Sequence, residues 1–252
     1  MSNLKIKEVR NYLPDIVLPR EMHPFLPSVP GVTLFIARCK QGKSNLISNL
    51  NQRSDMYGGP VPIFEQTYIF SPTIEADVSC QNYFHDSLKD RFIINTDMNK
   101  NEAILRDLVN YQTQFDRRDP DNLPPLTNIL IDDCSGFIKR NSFISHVAKR
   151  YRHFNLNIQF SDQTITGIPT SFRKMATAVF LGKCFNLKEK IAILEEYGDI
   201  YENRLEAVWN EAVKERFNFC YLKLDQLEPE IYQVVPNGFR QIDYKKYPTS
   251  KK

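Results

Sequence analysis

Residues 32 to 44 read VTLFIARCKQGKS, and this stretch decides the fold. Val32 to Ala37 is a short continuous apolar run, the pattern of a strand buried on both faces. Ala37-Arg38-Cys39-Lys40-Gln41-Gly42-Lys43-Ser44 then reads A-x-x-x-x-G-K-S, one residue from the phosphate-loop pattern G-x-x-x-x-G-K-[ST]. The chemistry requires these residue types. The backbone wraps an anion with its N–H groups turned inward, and a helix opens with its positive end toward the phosphates. Gly42 permits close backbone approach, Lys43 reaches the β- and γ-phosphates, and Ser44 offers a hydroxyl to Mg2+. From Ser44 the chain continues through Asn45 in a helical pattern, SNLISNLNQ. A surface Gly-Lys-Ser tripeptide lacks this setting of strand before and helix after.

Working outward, apolar runs recur at 68–71, 92–95, 128–132, 156–160 and 178–182, with helical segments predicted at 44–52, 102–115 and 142–153. Strands alternating with helices imply βαβ units and a mostly parallel sheet, an α/β fold. Two more helices are expected at 188–197 and 202–214, then strands at 217–224 and 231–235. Four parts follow: an irregular lead-in over 1–30, broken by Pro14, Pro19, Pro24, Pro27 and Pro30; a core over 31–185; added helices and strands over 186–243; and a loose basic tail over 244–252.

Composition excludes several classes. With 252 residues, 42% hydrophobic and 25% charged, the chain reads as globular rather than disordered or collagenous. Its net charge of +3 leaves any nucleic-acid surface to local patches. Five cysteines, at 39, 80, 134, 184 and 220, show no CxxC or Cys/His spacing, which points to free thiols and no zinc. No run approaches the ~20 apolar residues of a membrane span, so no membrane insertion is expected and the chain reads as soluble and not secreted.

A carboxylate at the end of a second buried strand completes a phosphate-loop site, and Ile129-Leu130-Ile131-Asp132-Asp133 supplies two. Asp132 is assigned with Ser44 to the metal, and Asp133 to the attacking water. One strand later, Gln163 is placed to hydrogen-bond that water or sense the γ-phosphate, with Asp162 competing for the position. Arg173, in Ile168-Pro169-Thr170-Ser171-Phe172-Arg173, is a candidate to stabilise transition-state charge, in cis or across a subunit boundary.

The order of these motifs resembles the viral genome-packaging ATPases of the poxvirus type, within the FtsK–HerA superfamily. The matching residues are Gly42-Lys43-Ser44, YIFSPT at 68–73, Asp132-Asp133, Arg152-His153, Gln163 and Ile168-Pro169 with Arg173. The resemblance spans about residues 30 to 185. It implies an ASCE-type P-loop NTPase fold of three layers, with C-terminal strands added to a mostly parallel sheet. It also implies Mg2+ and ATP as cofactors, Gln163 as sensor and Arg173 as arginine finger. The implied activity is ATP hydrolysis driving double-stranded DNA into a capsid by a homo-oligomeric ring, in the host cytoplasm or the virion. Capsid protein is a further expected partner. Two positions depart from the pattern: Ala37 replaces the first glycine, and Asp133 stands where many superfamily members have Glu.

Lys139-Arg140 and the run from Lys149 to Phe154 flank a predicted helix, and acids are absent from 134 to 161. Lys149, Arg150 and Arg152, interleaved with aromatics, suit a phosphate backbone read without base sequence. The competing readings are a nucleotide-gated scaffold or capsid-interaction protein with little turnover, and a different P-loop enzyme such as a small nucleotide kinase.

Overall fold

A computed structural model describes residues 18–76, 90–116, 119, 122–134, 138 and 142–250. Nine strands are found there: β1 (Val32–Ile36), β2 (Gln66–Phe70), β3 (Phe92–Asn95), β4 (Thr127–Asp132), β5 (Leu156–Asp162), β6 (Ala178–Leu181), β7 (Phe219–Lys223), β8 (Glu230–Val235) and β9 (Gly238–Ile242). They form one sheet in the order β3-β2-β4-β5-β1-β6-β7-β8-β9. All pairings from β3 through β6 are parallel, and those from β6 through β9 are antiparallel. The expected mostly parallel sheet with C-terminal additions is therefore what the chain forms.

Among the described residues, six α-helices complete three layers: α1 (Lys43–Gln52), α2 (Asn101–Gln112), α3 (Phe143–Lys149), α4 (Thr170–Met175), α5 (Leu187–Tyr197) and α6 (Leu205–Ala212). Alternate strand residues point to opposite faces. Leu34, Ile36, Ile129, Ile158 and Phe160 pack against Leu105, Val147, Phe172, Ile193 and Trp209 of α2 to α6. Phe35, Ile69, Leu130 and Phe180 pack on the other face against Ile47 and Leu50 of α1 and Leu26 of the lead-in. This two-sided burial is why the parallel strands read as continuous apolar runs rather than alternations.

A ladder of buried amides interrupts the α1 face. Asn51 and Gln159 exchange hydrogen bonds of 2.8 and 3.2 Å. The Asn128 amide donates to Asn51 at 3.3 Å, Asn157 donates to Asn128 at 2.8 Å, and the Gly31 N–H donates to Asn157 at 3.0 Å. Satisfied in this way, the polar groups fix the register of α1 against β4 and β5.

Several boundaries differ from expectation. The predicted helix over 142–153 stops at Lys149, because Arg150 leaves the helical region at φ −125, and a 3-10 turn spans Tyr151–Phe154. Left-handed Glu202 and Asn203 delay the sixth helix to Leu205. β9 follows a tight turn at Pro236 to Gly238 and was not anticipated. The tail is not loose through residue 250. Tyr244 packs edge-on against Tyr201 at 5.3 Å, Arg204 donates to the Tyr247 carbonyl, and the Ser250 N–H donates to Asn203 at 2.7 Å. Cys80, Lys139 and Arg140 lie outside the described residues, and no described helix is long and apolar enough to cross a membrane.

Candidate nucleotide site

The chain after β1 turns at the C-terminal edge of the parallel strands, the edge toward which β4 and β5 also run. Lys40 at φ 64 and Gly42 at φ 90 take left-handed backbone, which lets the loop reverse into α1. Ala37 is buried, and its N–H donates to the Asp162 carbonyl at 3.2 Å. The methyl of Ala37 is accommodated from the neighbouring strand. A Cβ placed on Gly182, just past β6, would lie 2.6 Å from the Ala37 Cβ and 2.4 Å from Gln41 Oε1. Gly182 is itself fixed: its N–H donates to Ile36 at 2.9 Å, and its carbonyl accepts from Trp209 Nε1 at 2.9 Å. Gln41 donates to the Lys183 carbonyl at 2.8 Å and ties the loop to the same strand end. The glycine missing from position 37 is thus replaced, sterically, by one at 182.

Lys43 is 8% exposed and opens α1, with its Nζ 3.5 Å from Asp133 Oδ1. Asp132 is also 8% exposed and ends β4 beside β5, paired in register with Ser161. Asp133 then takes left-handed backbone at φ 51, a conformation Asp tolerates better than most residues, and its N–H donates to Ser161 at 3.2 Å. Cys134 anchors this turn, its Sγ 3.1 Å from the Phe70 carbonyl and 3.2 Å from that of Asp132. Burial, reinforced by the charge of Asp132, pushes the Cys134 thiol up to about 12. One carboxylate and one hydroxyl, Asp132 and Ser44, are hard oxygen donors. They suit Mg2+, which is commonly held by one or two protein oxygens together with phosphates and waters. Among the described residues no cluster of three His, Cys, Asp or Glu offers a different metal site.

Gln163 follows β5 and lines a cavity of about 680 Å³ together with Arg38, Cys39, Lys40 and Gln41. Asp162, its competitor, is committed to the turn: its Oδ1 accepts the Thr164 N–H at 2.9 Å. Glu189 of α5 holds the same loop, accepting from the Ile165 N–H at 2.9 Å and the Thr166 hydroxyl at 2.8 Å.

Arg173 is not brought to its own phosphate loop. It lies in the last turn of α4, four residues before Thr177, whose N–H donates to Val32 at the start of β1. The five residues of β1, ~17 Å long, separate that edge from the loop. Its guanidinium is engaged by Glu196 at 2.6 Å and Thr170 at 3.0 Å. Lys149, Arg150 and Arg152 are exposed and precede β5, so they sit at this same opposite edge. Arg150 lies 5.4 Å over the Phe154 ring, and Arg152 donates to the Tyr151 hydroxyl at 2.9 Å.

Other residues join the loop that sequence reasoning did not select. Lys183, Phe185, Lys214, Arg216 and Phe217 line the cavity beside it. The only sequence signal at 214–217 is a short basic-aromatic run, KERF, far from the loop along the chain.

The fold and this loop define a P-loop NTPase-type α/β fold. Among solved structures, the chain is similar to B204, the DNA-packaging ATPase from Sulfolobus Turreted Icosahedral Virus. The TM-score is 0.55 at 14% identity, over 80% of this chain and 96% of that one. It is likewise similar to the genome packaging NTPase B204 from Sulfolobus turreted icosahedral virus 2 in complex with AMPPCP. There the TM-score is 0.53 at 16% identity, over 81% and 98% of the two chains. No protein-family model and no curated protein sequence matches the chain.

Proposed function

We propose that this protein is an ATP-driven translocase that packages double-stranded DNA into a viral capsid, hydrolysing Mg-ATP in a homo-oligomeric ring. The observation that carries the reading is the meeting of Lys43 with Asp133, beside Asp132, in a fold shared with a viral DNA-packaging ATPase. Residues 37–45 cradle the phosphates, and Ser44 and Asp132 hold Mg2+, which neutralises charge on the phosphate oxygens. ATP draws the Lys43 ammonium onto its phosphates and releases the Asp133 carboxylate to polarise water. Water, oriented by Gln163, attacks the γ-phosphorus as its proton passes by way of Asp133 to the phosphate oxygens, and the bond to the β–γ bridging oxygen breaks to release ADP and phosphate. Arg173 is assigned to the nucleotide of a neighbouring subunit, which requires its pair with Glu196 to open. Lys149, Arg150 and Arg152 follow the DNA backbone. The setting is the host cytoplasm or the virion, with capsid protein as partner.

The test is ATP turnover with and without linear double-stranded DNA, for wild type and Lys43→Ala, across a salt series. The expected result is DNA stimulation that vanishes in Lys43→Ala and fades with salt. Replacing Lys149, Arg150 and Arg152 together by Ala should flatten the log-affinity against log-salt slope by about 2 to 3. Turnover indifferent to DNA would instead favour the kinase or scaffold reading.

A further inference from the structure

The segment after β5 carries Gln163 to the phosphate loop and is then pinned from several sides. The Thr164 N–H donates to Asp162 Oδ1 at 2.9 Å, and the Gly167 N–H donates to the Thr164 hydroxyl at 3.1 Å. Gly167 is needed for this turn, because a Cβ there would stand 2.7 Å from Asp162 Oδ1. Ile165 and Ile168 are buried in the core on the α4–α5 side of the sheet. The remaining restraint comes from far along the chain. Glu189 Oε2 accepts from the Ile165 N–H at 2.9 Å, and its Oε1 accepts from the Thr166 hydroxyl at 2.8 Å.

The position of Glu189 in α5 gives that contact its meaning. Asn186 caps the helix, its side chain accepting from the Lys188 N–H at 3.0 Å, so Glu189 stands three residues in. An acid at this position commonly reaches back to the N–H of the capping residue. Here both carboxylate oxygens engage the segment after β5. The helix behind them is a firm support. Ile193 and Tyr197 are buried, Lys190 pairs with Glu206 of α6 at 2.7 Å, and Glu196 pairs with Arg173 of α4 at 2.6 Å. Glu189 and Gln163 line one cavity of about 230 Å³ together with Ala37 and Arg38 of the phosphate loop. Gln163 is exposed there, two residues from the bond that Glu189 makes to Ile165.

We infer that Glu189 is a positioning residue: from α5 it fixes the backbone that aims Gln163 at the γ-phosphate, and so sets the rate of hydrolysis rather than nucleotide affinity. This rests on the reading of residues 37–44 as a phosphate loop and of Gln163 as the group that orients water. The role is one of geometry, not of charge. In Glu189→Gln the amide oxygen still accepts from the Ile165 N–H. The Thr166 hydroxyl, which can donate or accept, turns to accept from the amide nitrogen. Glu189→Ala takes the partner from both donors and lets the segment shift, and a misplacement of ~1 Å can cost about 100-fold in rate.

The experiment measures ATP turnover with linear double-stranded DNA, and ATP affinity by calorimetric titration, on the full chain. Glu189→Ala should lower kcat by about 10- to 100-fold with ATP affinity within about twofold, and Glu189→Gln should restore kcat to within about threefold of wild type. In a Gln163→Ala background, Glu189→Ala should change kcat by less than about twofold, because the side chain it positions is gone. Undiminished kcat in Glu189→Ala, affinity falling in step with kcat, or the full effect persisting in the Gln163→Ala background overturns the positioning role. Should Glu189→Ala fail to fold, Thr166→Val reports the same restraint by removing one exposed hydroxyl. A loss of about threefold in kcat that disappears in the Gln163→Ala background supports the role, and wild-type kcat overturns it. Gln163→Ala turning over like wild type overturns the part given to Gln163, and Glu189 with it, while leaving the phosphate loop standing. A wild type that binds no ATP sinks the phosphate-loop reading itself.

Discussion

Gly182→Ala puts the fit between the phosphate loop and β6 to a direct test. The added methyl would meet the Ala37 Cβ at 2.6 Å and Gln41 Oε1 at 2.4 Å, both below any normal contact. Gly182 has no room to retreat, because its N–H and carbonyl are bound to Ile36 and Trp209. The loop must therefore move. Overpacking of this kind costs about 1–3 kcal/mol, which in a chain of this size lowers Tm by roughly 2–12 °C. ATP affinity should fall with it if Ala37 and Gln41 belong to the proposed phosphate cradle. The decisive measurement is a double-mutant cycle with Ala37→Gly, read by thermal unfolding and ATP titration. Ala37→Gly alone should cost about 0.5–1 kcal/mol through backbone entropy. In that background the Cβ–Cβ clash is gone, leaving the Gln41 Oε1 at 2.4 Å and the Cα of residue 37 at an ordinary 3.4 Å. Gly182→Ala should then cost less, with a coupling energy of about 1 kcal/mol. A cost unchanged by Ala37→Gly, or a Gly182→Ala protein as stable as wild type, would falsify the steric account of the alanine at position 37.

Asp133→Asn should keep ATP binding while reducing hydrolysis by about 10²- to 10⁴-fold, measured as single-turnover rate against titrated affinity; equal turnover refutes the water-activating role. Asn128→Ala removes the partner of the Asn157 amide at 2.8 Å and should cost about 1–3 kcal/mol, visible as a lower denaturant midpoint; an unchanged midpoint means the ladder is not structural. At pH 8, native alkylation mapped by mass spectrometry should label exposed Cys39 and spare Cys134 and Cys220, whose thiols burial pushes up, until the chain is unfolded. Because the Cys134 pKa is raised from 9.0 to about 12 on folding, its contribution to stability is intact below about pH 9 and is lost as pH rises toward 12. Cys134→Ala should flatten that part of the stability profile.

The strand–loop–helix unit over 32–52 was legible because each of its signals lies within a few residues of the next. β4, β5 and β6 were legible because burial on both faces writes an apolar run into local sequence. β2 and β3, toward the sheet's edge, were legible as short apolar runs although only part of each is buried. Asp132 and Asp133 followed from their place at the end of such a run. The amide ladder was not visible, because Asn51, Asn128, Asn157 and Gln159 read singly as interruptions in apolar segments and become a network only when α1 lies on the sheet. β9 was missed because Arg240 and Gln241 lie exposed on an edge strand, leaving its alternation weak.

What the sequence determined by itself is therefore the local chemistry: a phosphate loop, its helix, and two carboxylates at the end of a buried strand. The tertiary structure decided which distant residues attend that chemistry. Sheet order sets β6 beside β1, so Gly182 makes room for Ala37, and the antiparallel extension brings Phe217 and the β8–β9 hairpin to the loop. The same geometry carries Arg173 back to the opposite edge, because α4 must return the chain to the start of a parallel strand. Periodicity and spacing act over about ten residues, whereas these placements depend on hydrogen-bonded strand pairing across more than a hundred.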